Sequence, residues 1–182
     1  QDINPLIYVI NDNAYFNGDS VDDFLTAVRK FPDSRFVLNG LYKNKIETLI
    51  SERDNFYYLL LWKGFFNPEK NKIDITKLLP MSSNVIGTAL YVALYMGYEE
   101  IILLGCDFNS FASPKQVHVY EDKESSRLWT MSNELFQYSF AADMHVQLDI
   151  YAKRHNQLIM NGTEGSLIDA YERVSLDELQ HK

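Results

Sequence analysis

Of the side chains that could do chemistry, His118 is the most suggestive, lying in Gln116-Val-His-Val-Tyr120 on a polar stretch. An imidazole with a pKa near neutrality can take a proton from an attacking hydroxyl, and Tyr120 is near enough in sequence to share its site. The bland alternative is a surface-loop histidine. Ser82-Ser83-Asn84 precedes an apolar run, where free backbone N–H groups, hydroxyls and a helix dipole together suit an anionic phosphate. Ser and Asn are also ordinary helix caps. Asn11, Asp12 and Asn13 close one β-branched run, Asp107 and Asn109 follow another, and Asn161 and Thr163 follow a third. Asp107 suits a ribose hydroxyl, a metal or a turn cap, but no paired-carboxylate spacing accompanies it, so no metal site is expected. Asn161-Gly-Thr163 fits the N-glycosylation pattern, a match read as accidental without a secretory signal. His145 and His155 fall on a long helical pattern and read as packing or surface residues, and His181 sits in a tail.

Strands are expected at 6–10, 35–38, 56–62, 100–104 and 157–161, the third as a continuous apolar run of the kind buried on both faces. Val21, Phe24, Leu25 and Val28 share a helix face, and Ile46, Leu49 and Ile50 suggest another short helix. The helix after Asn84 would bury Val85, Ala89, Val92, Ala93 and Met96 and stop at Gly97. Residues 126–154 lack Gly and Pro and repeat apolar residues at three and four, giving one long helix or two broken near Ser139. Residues 63–80 read as a surface excursion able to carry acceptor contacts, and Ser175-Leu-Asp-Glu-Leu as a final helical turn. The order implies one α/β domain over 1–182, Rossmann-like, with a mainly parallel sheet and helices on both faces. Val9, Leu60, Ala93, Leu103 and Ile159 should form its core. In such a sheet, ligands bind outside the carboxyl ends of the strands, where these polar clusters would converge.

At 182 residues, with 46% hydrophobic and 23% charged residues, the chain can bury a sizeable core. The net charge of -8 offers no broad field for a nucleic-acid backbone or an anionic membrane. Apolar runs are too short for a membrane span. The lone Cys106 fits a reducing, cytoplasmic setting. P-loop, Gly-x-Gly-x-x-Gly, Gly-x-Ser-x-Gly and Cys/His zinc patterns are absent. Gln1 and the lack of a signal pattern suggest a fragment of a longer chain.

The stretch Ser82-Ser-Asn-Val-Ile-Gly-Thr-Ala-Leu-Tyr-Val-Ala-Leu-Tyr-Met-Gly-Tyr-Glu-Glu-Ile-Ile-Leu-Leu-Gly-Cys-Asp-Phe108 resembles a helix, glycine turn, strand, Gly-x-Asp signature. It is shared by bacterial lipooligosaccharide-type sialyltransferases and by the 6-hydroxymethylpterin diphosphokinase-like family, which includes surface-polysaccharide glycosyltransferases. Tyr151-Ala-Lys-Arg-His-Asn-Gln-Leu-Ile-Met-Asn-Gly-Thr-Glu-Gly-Ser166 resembles the terminal strand and turn of the second group. The resemblance implies transfer of a sugar, sialic-acid-like among the options, from a nucleotide sugar to a surface-glycan hydroxyl, with a CMP-sugar favoured. It places Ser82, Ser83 and Asn84 by the donor phosphate, Asp107 near the donor, and His118 as the base. Asn11, Asp12, Asn161 and Thr163 complete the donor set, and Tyr120 joins His118. The family's opening strand and Gly-x-Gly-Pro-Ser loop have no match here, so they would lie upstream of Gln1, leaving a sheet edge open or covered by another subunit, as in a homo-oligomer. The alternatives are a pterin-type diphosphokinase using ATP and Mg2+, with Asp12 or Asp107 on the metal, and a noncatalytic nucleotide- or glycan-binding domain. Neither nucleic acid nor a membrane span is expected; peripheral attachment to the inner membrane is compatible.

Overall fold

The computed structural model describes residues 4–51, 53–112 and 130–180. It is an α/β fold with parallel sheets interleaved with helices. The chain divides into two compact units, one of residues 1–65 and 73–92, the other of 66–72 and 93–182.

The first unit opens with β1 (Ile7–Ile10), a short helix α1 (Ala14–Asn17), α2 (Val21–Lys30) and β2 (Arg35–Asn39). A single 3-10 turn (Gly40–Tyr42), α3 (Lys43–Leu49) and β3 (Phe56–Leu59) follow. The three strands form a parallel sheet in the order β1-β2-β3, with Val9 opposite Val37 and Val37 opposite Tyr57. The expected face of α2 is borne out at Phe24 and Val28, both fully buried. They join Ile10, Phe16, Phe36, Leu38, Ile46 and Phe56 in one core. Phe16 meets Phe24 edge-on at 5.5 Å and Phe36 meets Phe56 at 5.7 Å, the geometry aromatic quadrupoles favour.

Residues 56–62 are not one strand. The chain changes partner at Leu60: β3 pairs with β2, whereas β4 (Leu61–Trp62) pairs in parallel with β5 (Leu79–Pro80). Phe56, Leu59 and Leu61 are buried, and Tyr57, Leu60 and Trp62 are exposed, so Leu60, expected in the core, is 48% accessible. The segment 63–80 is irregular and largely at the surface as expected, but Phe66 and Ile73 are buried and Leu79 enters β5.

Helix α4 (Val85–Tyr95) begins in the first unit and ends in the second. It ends at Gly97 as expected: Gly97 adopts φ +79°, its N–H donates to the Leu94 carbonyl, and the Tyr98 N–H donates to the Ala93 carbonyl. This is a Schellman closure, which favours glycine because its φ is positive. The buried face is different. Leu90, Tyr91, Val92 and Leu94 are buried, Ala89 and Ala93 are half-buried, and Val85 and Met96 are exposed. A helix apolar on every side gives the sequence no stripe from which to choose a face.

In the second unit, β6 (Glu100–Leu103), a 3-10 turn (Ser110–Ala112), the 24-residue α5 (Met131–Arg154), β7 (Leu158–Asn161), β8 (Glu172–Arg173) and α6 (Leu176–Gln180) follow in order. The sheet is parallel in the order β6-β7-β8, with Ile101 opposite Ile159 and Met160 opposite Glu172. Leu103 and Ile159 are buried as expected; Val9 of the first unit is only half-buried. Helix α5 runs unbroken through Ser139, with Thr130 capping it by accepting from the Asn133 N–H. Ser175 and Glu178 cap α6 reciprocally: the Glu178 N–H donates to Ser175 Oγ at 3.2 Å, and the Ser175 N–H donates to Glu178 Oε2 at 2.8 Å. Among the described residues, no helix is long and apolar enough to cross a membrane.

Candidate functional site

Two polar groups form at strand ends, one in each unit. In the first, the chain turns polar as β1 and β2 end. Asn39 donates its amide to the Asn11 carbonyl at 3.1 Å and accepts from the Leu41 N–H, which ties the two strand ends together. Asn11 donates in turn to Thr88 Oγ1 at 3.4 Å, and Thr88 shares a short hydroxyl contact with buried Ser82. Ser82 Oγ also donates to the Asn84 carbonyl at 2.8 Å. Asn84 caps α4 by accepting from the Gly87 N–H at 2.8 Å. A Cβ on Gly87 would sit 2.9 Å from Ser82 Cβ, so glycine at 87 permits the helix start to fold this tightly over Ser82.

Ser83 stands apart within this group. Its φ of +53° lies in the left-handed region that side-chain-bearing residues rarely occupy, and its Oγ is buried without a hydrogen-bond partner. Nearly all buried polar atoms are paired, so this orphaned hydroxyl stands out among the polar side chains of the helix start. Asp12, by contrast, is exposed and accepts from the Ala14 N–H at 2.9 Å, which makes it the cap of the turn into α1.

The second group joins the loop after β6 to the turn after β7. Thr163 Oγ1 accepts from the Cys106 N–H at 3.0 Å, and Ser166 Oγ donates to the Cys106 carbonyl at 2.6 Å, so the backbone of one residue is gripped on both sides. The Leu167 N–H donates to the Asp107 carbonyl at 2.9 Å. Asn161, 1% accessible, donates to Ser166 Oγ and to the Ile168 carbonyl, both at 3.0 Å, and accepts from the Thr163 N–H at 3.0 Å. Arg173 donates to the carbonyls of Thr163, Ser166 and Ile168. Burial of Asn161 also removes it as a glycosylation acceptor in the folded chain. The clasp leaves the Asp107 side chain exposed, with Phe108 behind it at φ +57°.

Phe108 packs on Tyr138 at 4.6 Å and edge-on against His145 at 5.7 Å. His145, read from sequence as a packing or surface residue, is a buried one: it is 1% accessible and its Nδ1 lies 2.8 Å from the Tyr171 hydroxyl. Burial pushes the His145 imidazole down to about 4. Burial, then Asp149 and Cys106, pushes the Tyr171 phenol well up. The Cys106 thiol is raised by burial and then by Asp107, the opposite of what a reactive cysteine needs.

Of the residues singled out by sequence, the structure links Asn11, Ser82 and Asn84 in one network and Asn161, Thr163 and the Asp107 backbone in another. His118 and Tyr120 lie outside the described residues. Sequence reasoning missed Asn39, Thr88, Ser166 and Arg173. Asn39 carries the same signal as Asn11, a polar residue ending an apolar run, and Thr88 lies one helical turn after Asn84; Arg173 carried no signal. Among the described residues, no cluster of three or more His, Cys, Asp or Glu could hold a metal ion. Comparison with protein-family models, curated proteins and solved structures gives no match.

Proposed function

We propose that this chain belongs to a glycosyltransferase that moves a sugar from a nucleotide sugar to a surface-glycan hydroxyl, with the donor phosphate received at the start of α4. The observation that carries the reading is the buried, unpartnered Ser83 hydroxyl beside a helix start, in a network tied to the carboxyl ends of β1 and β2. A helix's first turn has N–H groups without intrahelical acceptors and a positive dipole end, and both favour a phosphate oxygen over water.

In this reading Ser83 and the first N–H groups of α4 bind the phosphate and stabilise the charge that grows on it as the glycosyl bond breaks. Ser82 and Asn84 hold that turn in place, and Asn11 anchors it to β1. In the second unit, Asn161 and Thr163 shape the loop that carries Asp107. His118 takes the acceptor proton, and Tyr120 assists; these two roles rest on the sequence, with both residues outside the described ones.

Calorimetric titration of the chain with CMP, UDP, GDP and ATP tests the proposal. A pyrimidine nucleotide, CMP first, should bind, and Ser83→Ala should weaken it about ten-fold, the loss of one charge-assisted hydrogen bond. Absence of heat with all four nucleotides would refute the donor site.

A further inference from the structure

A second surface of the first unit has no part in that chemistry. In the parallel ribbon of β4 and β5, Leu61 lies opposite Leu79, and the Leu79 N–H donates to the Leu60 carbonyl, which sets Leu60 beside Leu78. Side chains alternate across a strand. Leu61 and Leu79 therefore point inward and are buried, whereas Leu60, Trp62 and Leu78 point outward and are exposed. Two glycines extend this apolar face. A Cβ on Gly40 would come within 2.8 Å of Leu60 Cδ2, which puts Leu60 over Gly40, and Leu41 follows in the chain at 70% accessible. A Cβ on Gly64 would fall 2.1 Å from the Trp62 ring, which therefore lies across Gly64, and Phe65 follows at 69% accessible.

The charges around this face are one-sided. The segments that carry it, 40–45, 60–65 and 76–80, contain Lys43, Lys45, Lys63 and Lys77 and no acidic residue, although acidic residues outnumber basic ones 25 to 17 in the whole chain. Lys43 and Lys77 each meet a carboxylate from outside these segments, Glu47 at 3.5 Å and Asp74 at 3.3 Å, pairs whose lysines are open to water and salt. Protein interfaces favour Trp and Phe but are depleted in Lys. At a lipid surface the two go together: aromatic and leucine side chains enter the headgroup boundary, and lysines reach the anionic phosphates.

We propose that the face formed by Leu41, Leu60, Trp62, Phe65 and Leu78, with its bordering lysines, docks on an anionic lipid bilayer. The net charge of -8 speaks against broad attraction, but the local lysines act within one Debye length of the membrane.

Co-sedimentation of the whole chain with vesicles of phosphatidylcholine alone, or with about one third phosphatidylglycerol, tests this. The chain should sediment with the anionic vesicles and be released by salt. In a Trp129→Phe background, which leaves Trp62 as the only tryptophan, emission should move to the blue on binding. Lys63→Glu should weaken partition about ten-fold or more, and Trp62→Ser comparably. Because these side chains are exposed, the variants should melt within a few degrees of the parent, and Lys63→Glu serves as the readout if Trp62→Ser does not fold. Failure to sediment with anionic vesicles, or sedimentation unchanged in both variants, would overturn the proposal. So would a dimer in the ultracentrifuge that Trp62→Ser dissolves while neither vesicle is bound, which would assign the face to a second copy of the chain.

Discussion

The start of α4 and the clasp after β6 and β7 draw on the same residue types, Ser, Thr and Asn at the ends of parallel strands, yet they use them in opposite ways. In the clasp, Asn161 makes three hydrogen bonds within the turn, Ser166 Oγ and Thr163 Oγ1 hold the Cys106 backbone between them, and Arg173 gathers three carbonyls. At the helix start, Ser82 and Asn84 are bonded internally, but the Ser83 hydroxyl is buried with no partner. A satisfied network fixes a shape; an unsatisfied group in a strained backbone costs stability unless something outside the chain completes it.

The largest expected effect lies in the clasp. Asn161→Ala would strand the Thr163 N–H in a buried site and remove a donor from Ser166 Oγ and from the Ile168 carbonyl, and should cost about 3 kcal/mol or more in urea unfolding. A loss under about 1 kcal/mol would break the comparison, because the clasp would then be dispensable.

Next comes a pH dependence in the same unit. The His145 imidazole is held at about 4 in the folded chain against an ordinary value of 6.5, so the unfolded chain binds the proton more readily. Stability due to its neutral burial is therefore intact above about pH 6.5 and is lost progressively as the pH falls toward 4, by up to about 3 kcal/mol. His145→Gln should flatten this part of the stability profile; a profile with the same slope in the variant would show that other groups carry it.

Arg173 is more exposed, and its removal should matter less. Arg173→Met should cost about 1–2 kcal/mol and speed amide exchange at Cys106 and Leu167, whose N–H groups bond across the clasp, with little change in α5. Unaltered exchange at those two amides would show that the guanidinium is incidental.

The smallest effect on stability, and the sharpest contrast, belongs to Ser83. Ser83→Ala removes a buried hydroxyl that has no partner, so the melting temperature should hold or rise slightly, by the equivalent of at most about 1 kcal/mol. A marked loss would mean that the hydroxyl already has a structural role.

The sequence makes the regular elements legible and the choice between these two roles illegible. The runs Leu6–Ile10, Arg35–Leu38 and Leu158–Met160 are short, β-branched and bounded by polar residues, so their strands fall within a residue or two of expectation. Residues 56–62 mislead because an unbroken apolar run reads the same in a strand buried on both faces as in a chain that changes partner at Leu60. In α4 the obstacle is the lack of any polar side. Asn161 and Ser83 show the limit at the site: both are small polar residues after or before a regular element, and only the partners around them distinguish a clasp from an open hydroxyl. Arg173 is remote in sequence from the loop after β6 that it helps to shape, so spacing says nothing of it.

The most direct test is to follow the backbone amides of the 15N-labelled chain during a CMP titration. The account predicts saturable shifts concentrated at Ser83, Asn84, Val85 and Ile86, where the donor phosphate meets the start of α4, and their loss in Ser83→Ala. Shifts concentrated instead at Thr163 to Ile168, with Ser83 to Ile86 unmoved, would contradict it.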